Sequence, residues 1–133
     1  MSQHSSELVG RALHTRILIV DDNPNIRKSL RSSLQGHPGW DVCGEAVNGL
    51  EALDKTHELH PDLVVLDLSM PLMNGLEAAK QLKRKEPAIP LIMFSSFATD
   101  QLRHQARHVG IVDVVSKEKP VSSLIESIER LLG

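Results

Sequence analysis

Along most of the chain, short apolar runs alternate with stretches in which apolar residues recur every three or four positions. From Arg16 onward the runs are "RILIV", "WDVCGEA", "LVVLD", "PLIMFS" and "VDVVS", whose length and β-branched content predict five strands. The intervening stripes predict helices: Ile26, Leu30 and Leu34; Leu76, Ala79 and Leu82; Leu102, Ala106 and Val109; and finally Leu124, Ile128, Leu131 and Leu132. Turn and breaker signals at "GHPGW", "HPD", "EPAIP" and Gly110 separate the elements. Strand followed by helix, repeated in this way, is the pattern of βαβ units and a parallel sheet.

Strand character also predicts strand order. A parallel strand covered on both faces is continuously apolar, whereas an edge strand tolerates polar residues. The first, third and fourth runs are continuous, the second is interrupted by Asp41 and Glu45, and the fifth by Asp113. With right-handed crossovers this predicts an α/β fold: a flavodoxin-like, doubly wound, five-stranded parallel sheet of order 2-1-3-4-5 with five helices. The chain has 133 residues, 41% of them hydrophobic, which suits one core. Residues 1–15, "MSQHSSELVGRALHT", are expected to form a polar tail with at most a helical turn, and residues 16–133 the domain.

Charge and cysteine content narrow the function classes. A formal net charge of −2 gives no basic face for nucleic-acid backbone, so direct nucleic-acid binding is not expected. Cys43 is the only cysteine, which excludes an internal disulfide and a cysteine metal cluster and fits a reducing, cytoplasmic setting. No run approaches the roughly 20 apolar residues of a membrane span, and the N-terminus lacks the apolar stretch of a secretory signal.

In the expected topology, ligands sit beyond the carboxyl ends of the strands, at the switch point between the first and third. Asp21 and Asp22 follow strand one, Asp67 ends strand three, Ser95 ends strand four, and Lys117 follows strand five, so all converge there. Three carboxylates in one pocket repel each other unless a cation neutralises them or some pKa values rise. Oxygen ligands at an open site favour Mg²⁺ together with phosphate. An exposed carboxylate can also attack phosphorus and form an acyl phosphate, with the Lys117 ammonium and Ser95 hydroxyl stabilising the phosphoryl oxygens. Plainer roles stay open: Asp22, followed by Asn23 and Pro24, could cap the first helix, Ser95 and Ser96 could be turn hydroxyls, and Lys117 a solvated lysine.

The chain resembles the receiver domains of two-component response regulators from about Arg16 to Leu132. "DLSMPLMNG" is similar to the family's phosphoacceptor motif, "LIVDDNP" to its first-strand acidic pair and "MFSS" to its fourth-strand Ser/Thr followed by a small residue, while Lys117 stands seven positions after Gly110. The resemblance implies a phosphorelay function in which Asp67 accepts a phosphoryl group from a phosphohistidine of a sensor histidine kinase or phosphotransfer protein. It further implies Mg²⁺ as cofactor, bound by Asp22 and Asp67, more remotely by Asp21, and by the backbone carbonyl of Ser69. Ser95 and Lys117 would contact the phosphoryl group, and the face made by helix 4, strand 5 and helix 5 would respond to it by engaging a downstream protein, an output domain or a second copy of the chain. Such a protein accepts phosphate and slowly loses it, and is not a turnover enzyme. "VCGEAVNGLEAL" is similar to receivers carrying a helix-turn-helix output domain, so a stand-alone receiver and a fragment of a DNA-binding regulator are both expected readings.

Departures from the family pattern bear on the switch. Where the family usually has an aromatic residue, three positions before the lysine, this chain has Val114. Phe94 is expected in the core, and Phe97, two residues past Ser95, at a position where it could restrict water's approach to an acyl phosphate. The lysine-proline pair is displaced, with Lys117 followed by Glu118 and Pro120 by way of Lys119, which leaves Lys119 as the alternative phosphate lysine. His104 and His108 have a spacing that can bind a metal but no acidic or cysteine partner, so solvated roles are expected; His57 is expected to be partly buried. Two other aspartate or phosphate chemistries fit less well. A haloacid-dehalogenase-type phosphatase would need an acid where Ser69 stands, and a flavin binder would need hydroxyls and glycine in place of "DDNPN". A receiver-like binding module that works without phosphorylation is the remaining alternative.

Overall fold

A computed structural model describes residues 14–132. Five parallel strands, β1 (Thr15–Val20), β2 (Trp40–Ala46), β3 (Leu63–Leu66), β4 (Leu91–Ser95) and β5 (Asp113–Ser116), form one sheet of order β2-β1-β3-β4-β5. Five helices connect or follow them: α1 (Pro24–Gln35), α2 (Gly49–Leu59), α3 (Gly75–Lys85), α4 (Asp100–His108) and α5 (Ser122–Leu132). The predicted topology and edge strands are those observed.

Strand side chains alternate between the two faces, which sorts the core into two layers. Ile17, Ile19, Leu63, Val65, Ile92 and Phe94 pack with Leu30 and Leu34 of α1 and with Leu124 and Ile128 of α5. Leu18, Val20, Val64, Leu66, Leu91 and Met93 face the opposite way, against Ala52 of α2, Ala78, Ala79 and Leu82 of α3, and Leu102 and Ala106 of α4. Burying each larger side chain contributes about 1.5–3 kcal/mol. The β1–β2 register shifts between Ile17 and Leu18, leaving Cys43 as the extra residue of a bulge. Helix starts are capped by side chains: Asn23 accepts from the Asn25 and Ile26 amides, Asn48 from Glu51, Asn74 from Glu77 and Thr99 from Leu102.

Several expectations are corrected. The capping role left open for Asp22 is taken by Asn23, with Pro24 in the first turn of α1. Thr15 belongs to β1, where its N–H donates to the Gly39 carbonyl at 2.7 Å, so the strand begins inside the expected tail; the helical turn expected there lies outside the described residues. His57 is exposed, because the buried face of α2 runs through Ala52 and Thr56, one residue out of phase with it. Leu131 and Leu132 are exposed although they continue the apolar stripe of α5. The core contacts of that helix are made by Leu124 and Ile128, and its last two leucines lie beyond them.

Candidate functional site

The carboxyl ends of β1, β3, β4 and β5 build the site by continuing their ladders one residue beyond the last core position. The Asp21 N–H donates to the Ala46 carbonyl (3.0 Å), Asp67 N–H to Val20 (2.9 Å), and Lys117 N–H to Ser95 (2.9 Å). These bonds fix the backbone from which Asp21, Asp67, Ser95 and Lys117 project. Carboxylate oxygens of Asp21, Asp22 and Asp67 lie within 4.8 Å of one another. Asp21 is 2% exposed and Asp67 7%, while Asp22 is open to solvent.

Lys117 is the cation of this cluster. Its Nζ lies 2.7 Å from Asp21 Oδ2 and 3.3 Å from Asp67 Oδ2, and it stands 6.0 Å from the centre of the Phe94 ring. Lys119, the alternative, is exposed. The other Asp21 oxygen accepts the Asn23 N–H at 2.9 Å, and Asp67 Oδ1 accepts the Leu68 N–H at 2.8 Å. Burial, and then the neighbouring Asp21 carboxylate, push the Asp67 carboxyl above the ordinary value of 3.8, against the opposing pull of Lys117 and the Leu68 amide.

The β3–α3 loop explains the "MNG" part of the motif. The Gly75 N–H closes the loop on the Leu68 carbonyl at 2.7 Å, and a Cβ at Gly75 would collide with the Asp67 carbonyl. Only glycine lets α3 begin this close to the candidate acceptor. Leu72 has φ 69°, a region that costs a branched side chain energy, and the Met73 N–H donates across it to the Pro71 carbonyl at 2.8 Å. Met73 in turn packs where a Cβ on Gly49 would be, joining the loop to the start of α2. Ser69 follows Asp67 by two residues, with its side chain exposed.

Ser95 is fully buried, its hydroxyl accepting the Phe97 N–H at 3.0 Å, while Ser96 is exposed. Phe94 is a core residue, and Phe97 is 59% exposed at the rim. Val114 is buried in the α4 layer. His104 and His108 are exposed with ring centres 4.6 Å apart. A participant not anticipated is Arg27, whose guanidinium donates to the Asp21 carbonyl at 2.8 Å and pairs with Glu45 at 3.0 Å. Glu45 also binds Arg31 at 2.6 Å, and these two arginines hold its carboxyl below its ordinary range even though burial acts in the other direction.

Comparison with known proteins agrees with this arrangement. A family model for the response regulator receiver domain matches residues 17–129. The chain belongs to that family. The receiver is 41% identical over 106 residues to a protein-glutamate methylesterase/protein-glutamine glutaminase of Methanosarcina acetivorans, the match covering 78% of this chain and 30% of that protein. It is 35% identical over 115 residues to the response regulator protein VraR of Staphylococcus saprophyticus, covering 86% of this chain and 55% of the relative. The chain thus spans about a third to a half of the length of these curated relatives. Among solved structures, the response regulator domain of Thermotoga maritima CheB superposes with a TM-score of 0.83 at 32% identity, covering 88% of this receiver and 95% of that chain. A LuxR-family response regulator from Aurantimonas gives 0.86 at 30%, covering 90% and 85%.

Receiver domains are phosphoacceptor modules that work with kinases or phosphotransfer proteins and with output domains, and they bind Mg²⁺ at an aspartate cluster. The donor set of this receiver fits such an ion: three carboxylates converge, all donors are oxygen, and burial and then the Asp21 carboxylate raise the Asp67 pKa in the metal-free site. Among the described residues no helix is long and apolar enough to cross a membrane.

Proposed function

We propose that Asp67 is the phosphoacceptor of this receiver and that its partner upstream is a phosphohistidine on a sensor histidine kinase or phosphotransfer protein. The observation that carries the reading is the placement of a nearly buried carboxylate at the end of β3, between two further acids and the Lys117 ammonium. A carboxylate oxygen of Asp67 attacks phosphorus, the O–P bond forms as the P–N bond breaks, and the departing imidazole nitrogen keeps the electron pair and takes a proton from water. Asp21, Asp22, Asp67 and the Ser69 carbonyl would hold Mg²⁺, which would supply charge neutralisation for the phosphoryl group when bound. Lys117 shifts from Asp21 to a phosphoryl oxygen, and the Ser95 hydroxyl turns to donate to another. Asp22, open to solvent, lies where the donor approaches.

The product adds roughly −1.5 to −2 charge and three acceptor oxygens. Driving a two-state switch from 1:99 to 99:1 needs about 5.5 kcal/mol of differential stabilisation, which the contacts to Lys117, Ser95 and the ion can provide in a site this shielded. The responsive face is α4, β5 and α5, and it engages a downstream protein, an output domain or a second copy. The methylesterase and regulator activities in the relatives' names belong to those longer proteins; the step assigned to this chain is phosphoryl acceptance in the cytoplasm, without turnover catalysis and without direct contact to nucleic acid or membrane. Incubation with Mg²⁺ and acetyl phosphate tests the reading by intact mass. One added phosphoryl group that requires both Mg²⁺ and Asp67 supports it, and an adduct that persists in Asp67→Ala refutes it.

A further inference from the structure

In a receiver without an aromatic residue at position 114, something else must report the state of Ser95 to the α4–β5 face. Val114 is buried in the core cluster that holds Leu102 and Ala106 and carries no ring that could swing between two positions. A continuous hydrogen-bond path does lead from the Ser95 hydroxyl to that face. Ser95 Oγ accepts the Phe97 N–H at 3.0 Å, the Phe97 carbonyl accepts the Thr99 N–H at 2.7 Å, and the Thr99 carbonyl accepts the Arg103 N–H at 3.0 Å. The Arg103 Nη1 then donates to the Val114 carbonyl at 2.6 Å.

The last bond has a particular place in the fold. β5 is an edge strand, and the backbone groups on its open side need partners. Those of Val114 are closed internally, the carbonyl by Arg103 and the N–H by Asp113 Oδ1 at 2.9 Å. Clefts of about 260 and 70 Å³ are both lined by Arg103 and Val114, so the guanidinium borders open space. A guanidinium stays charged at all relevant pH, so the contact responds to geometry and not to proton concentration.

We propose that Arg103 is the positioning residue of the switch, a latch that keeps the open edge of β5 closed while the Ser95 hydroxyl holds the Phe97 amide. The inference rests on the reading of Asp67 as phosphoacceptor. When Ser95 turns toward a phosphoryl group, the Phe97 amide loses its acceptor, the start of α4 shifts, and Arg103 leaves the Val114 carbonyl. A free guanidinium and an open carbonyl on β5 then become available to a partner.

The test is NMR on the ¹⁵N-labelled full chain, reading the Arg103 guanidinium signal and the Val115 amide, which shares its peptide group with the Val114 carbonyl. Ser95→Ala, with no phosphoryl donor present, is expected to broaden away the Arg103 signal and to move the Val115 peak to the position it takes in Arg103→Ala. Phosphorylation of the unsubstituted chain is expected to move Val115 the same way, while Arg103→Ala still accepts phosphate by intact mass and shows no further Val115 shift. An Arg103 signal and Val115 peak unchanged by Ser95→Ala overturn the latch, as does a phosphorylated chain whose Val115 peak stays in place. A chain that takes no phosphoryl group overturns instead the reading of Asp67, and the comparison of Ser95→Ala with Arg103→Ala, made without phosphate, still decides the latch.

Discussion

Replacing Lys117 by methionine keeps the length of the side chain and removes its charge. At 2.7 Å from Asp21 and 3.3 Å from Asp67, the ammonium makes gross attractions of about 6 and 5 kcal/mol at an effective dielectric of roughly 20. Desolvation of the lysine, 13% exposed, offsets much of this, and removing one partner of a buried pair costs about 3–5 kcal/mol. Lys117→Met is therefore expected to lose about 3 kcal/mol in metal-free neutral buffer, or about 10 °C in Tm, measured by urea and thermal unfolding. The loss should depend on pH with a definite sign. Because the folded-state pKa of Asp67 is raised above its unfolded value of 3.8, ionising it weakens the fold as pH rises through the folded pKa, and this penalty is absent below 3.8. The deficit of Lys117→Met should shrink as acid protonates Asp67. Mg²⁺ at 100 times its Kd adds about 2.7 kcal/mol of stability and should help the variant at least as much as the parent chain, since the lysine no longer competes for the carboxylates. A variant as stable as the parent without metal, or a deficit independent of pH, would refute the assignment of Lys117 as the counter-charge of this site.

Other outcomes follow from single contacts. Gly75→Ala forces its Cβ against the Asp67 carbonyl and should cost about 1–3 kcal/mol together with slower phosphate uptake, read by unfolding and by mass. Asn74→Ala removes the cap that accepts the Glu77 N–H at 2.9 Å and should cost about 1 kcal/mol, with a smaller effect on uptake than Gly75→Ala. Phe97→Ala uncovers the rim and should shorten the lifetime of the phosphorylated state after donor removal; a decay equal to that of the parent chain removes the water-shielding role.

Much of this arrangement was legible in the sequence because the sheet is buried on both faces. A run such as Leu63–Leu66 admits few other placements, and an acid immediately after it must lie at the strand's carboxyl end. What escaped depended on contacts between segments far apart. Glu45 marked β2 as an edge, yet its partners Arg27 and Arg31, four apart on α1, became visible only once the helix lay against the strand. The Gly75 requirement comes from a close approach to a backbone carbonyl, which no periodicity encodes. His57 was placed one residue out of phase, an error of about 100° on a helix, and the cap of α1 is Asn23, one residue past the acid that the sequence suggested for it.

The central claim is that Asp67 itself forms the bond to phosphorus. Treating the acetyl phosphate-modified chain with borohydride reduces an acyl phosphate to an alcohol, and peptide mass mapping then locates it. Homoserine at position 67, dependent on Mg²⁺ and on the phosphoryl donor, is the predicted result. Reduction at Asp21 or Asp22, or a phosphorylated chain with no reducible aspartate, would contradict it.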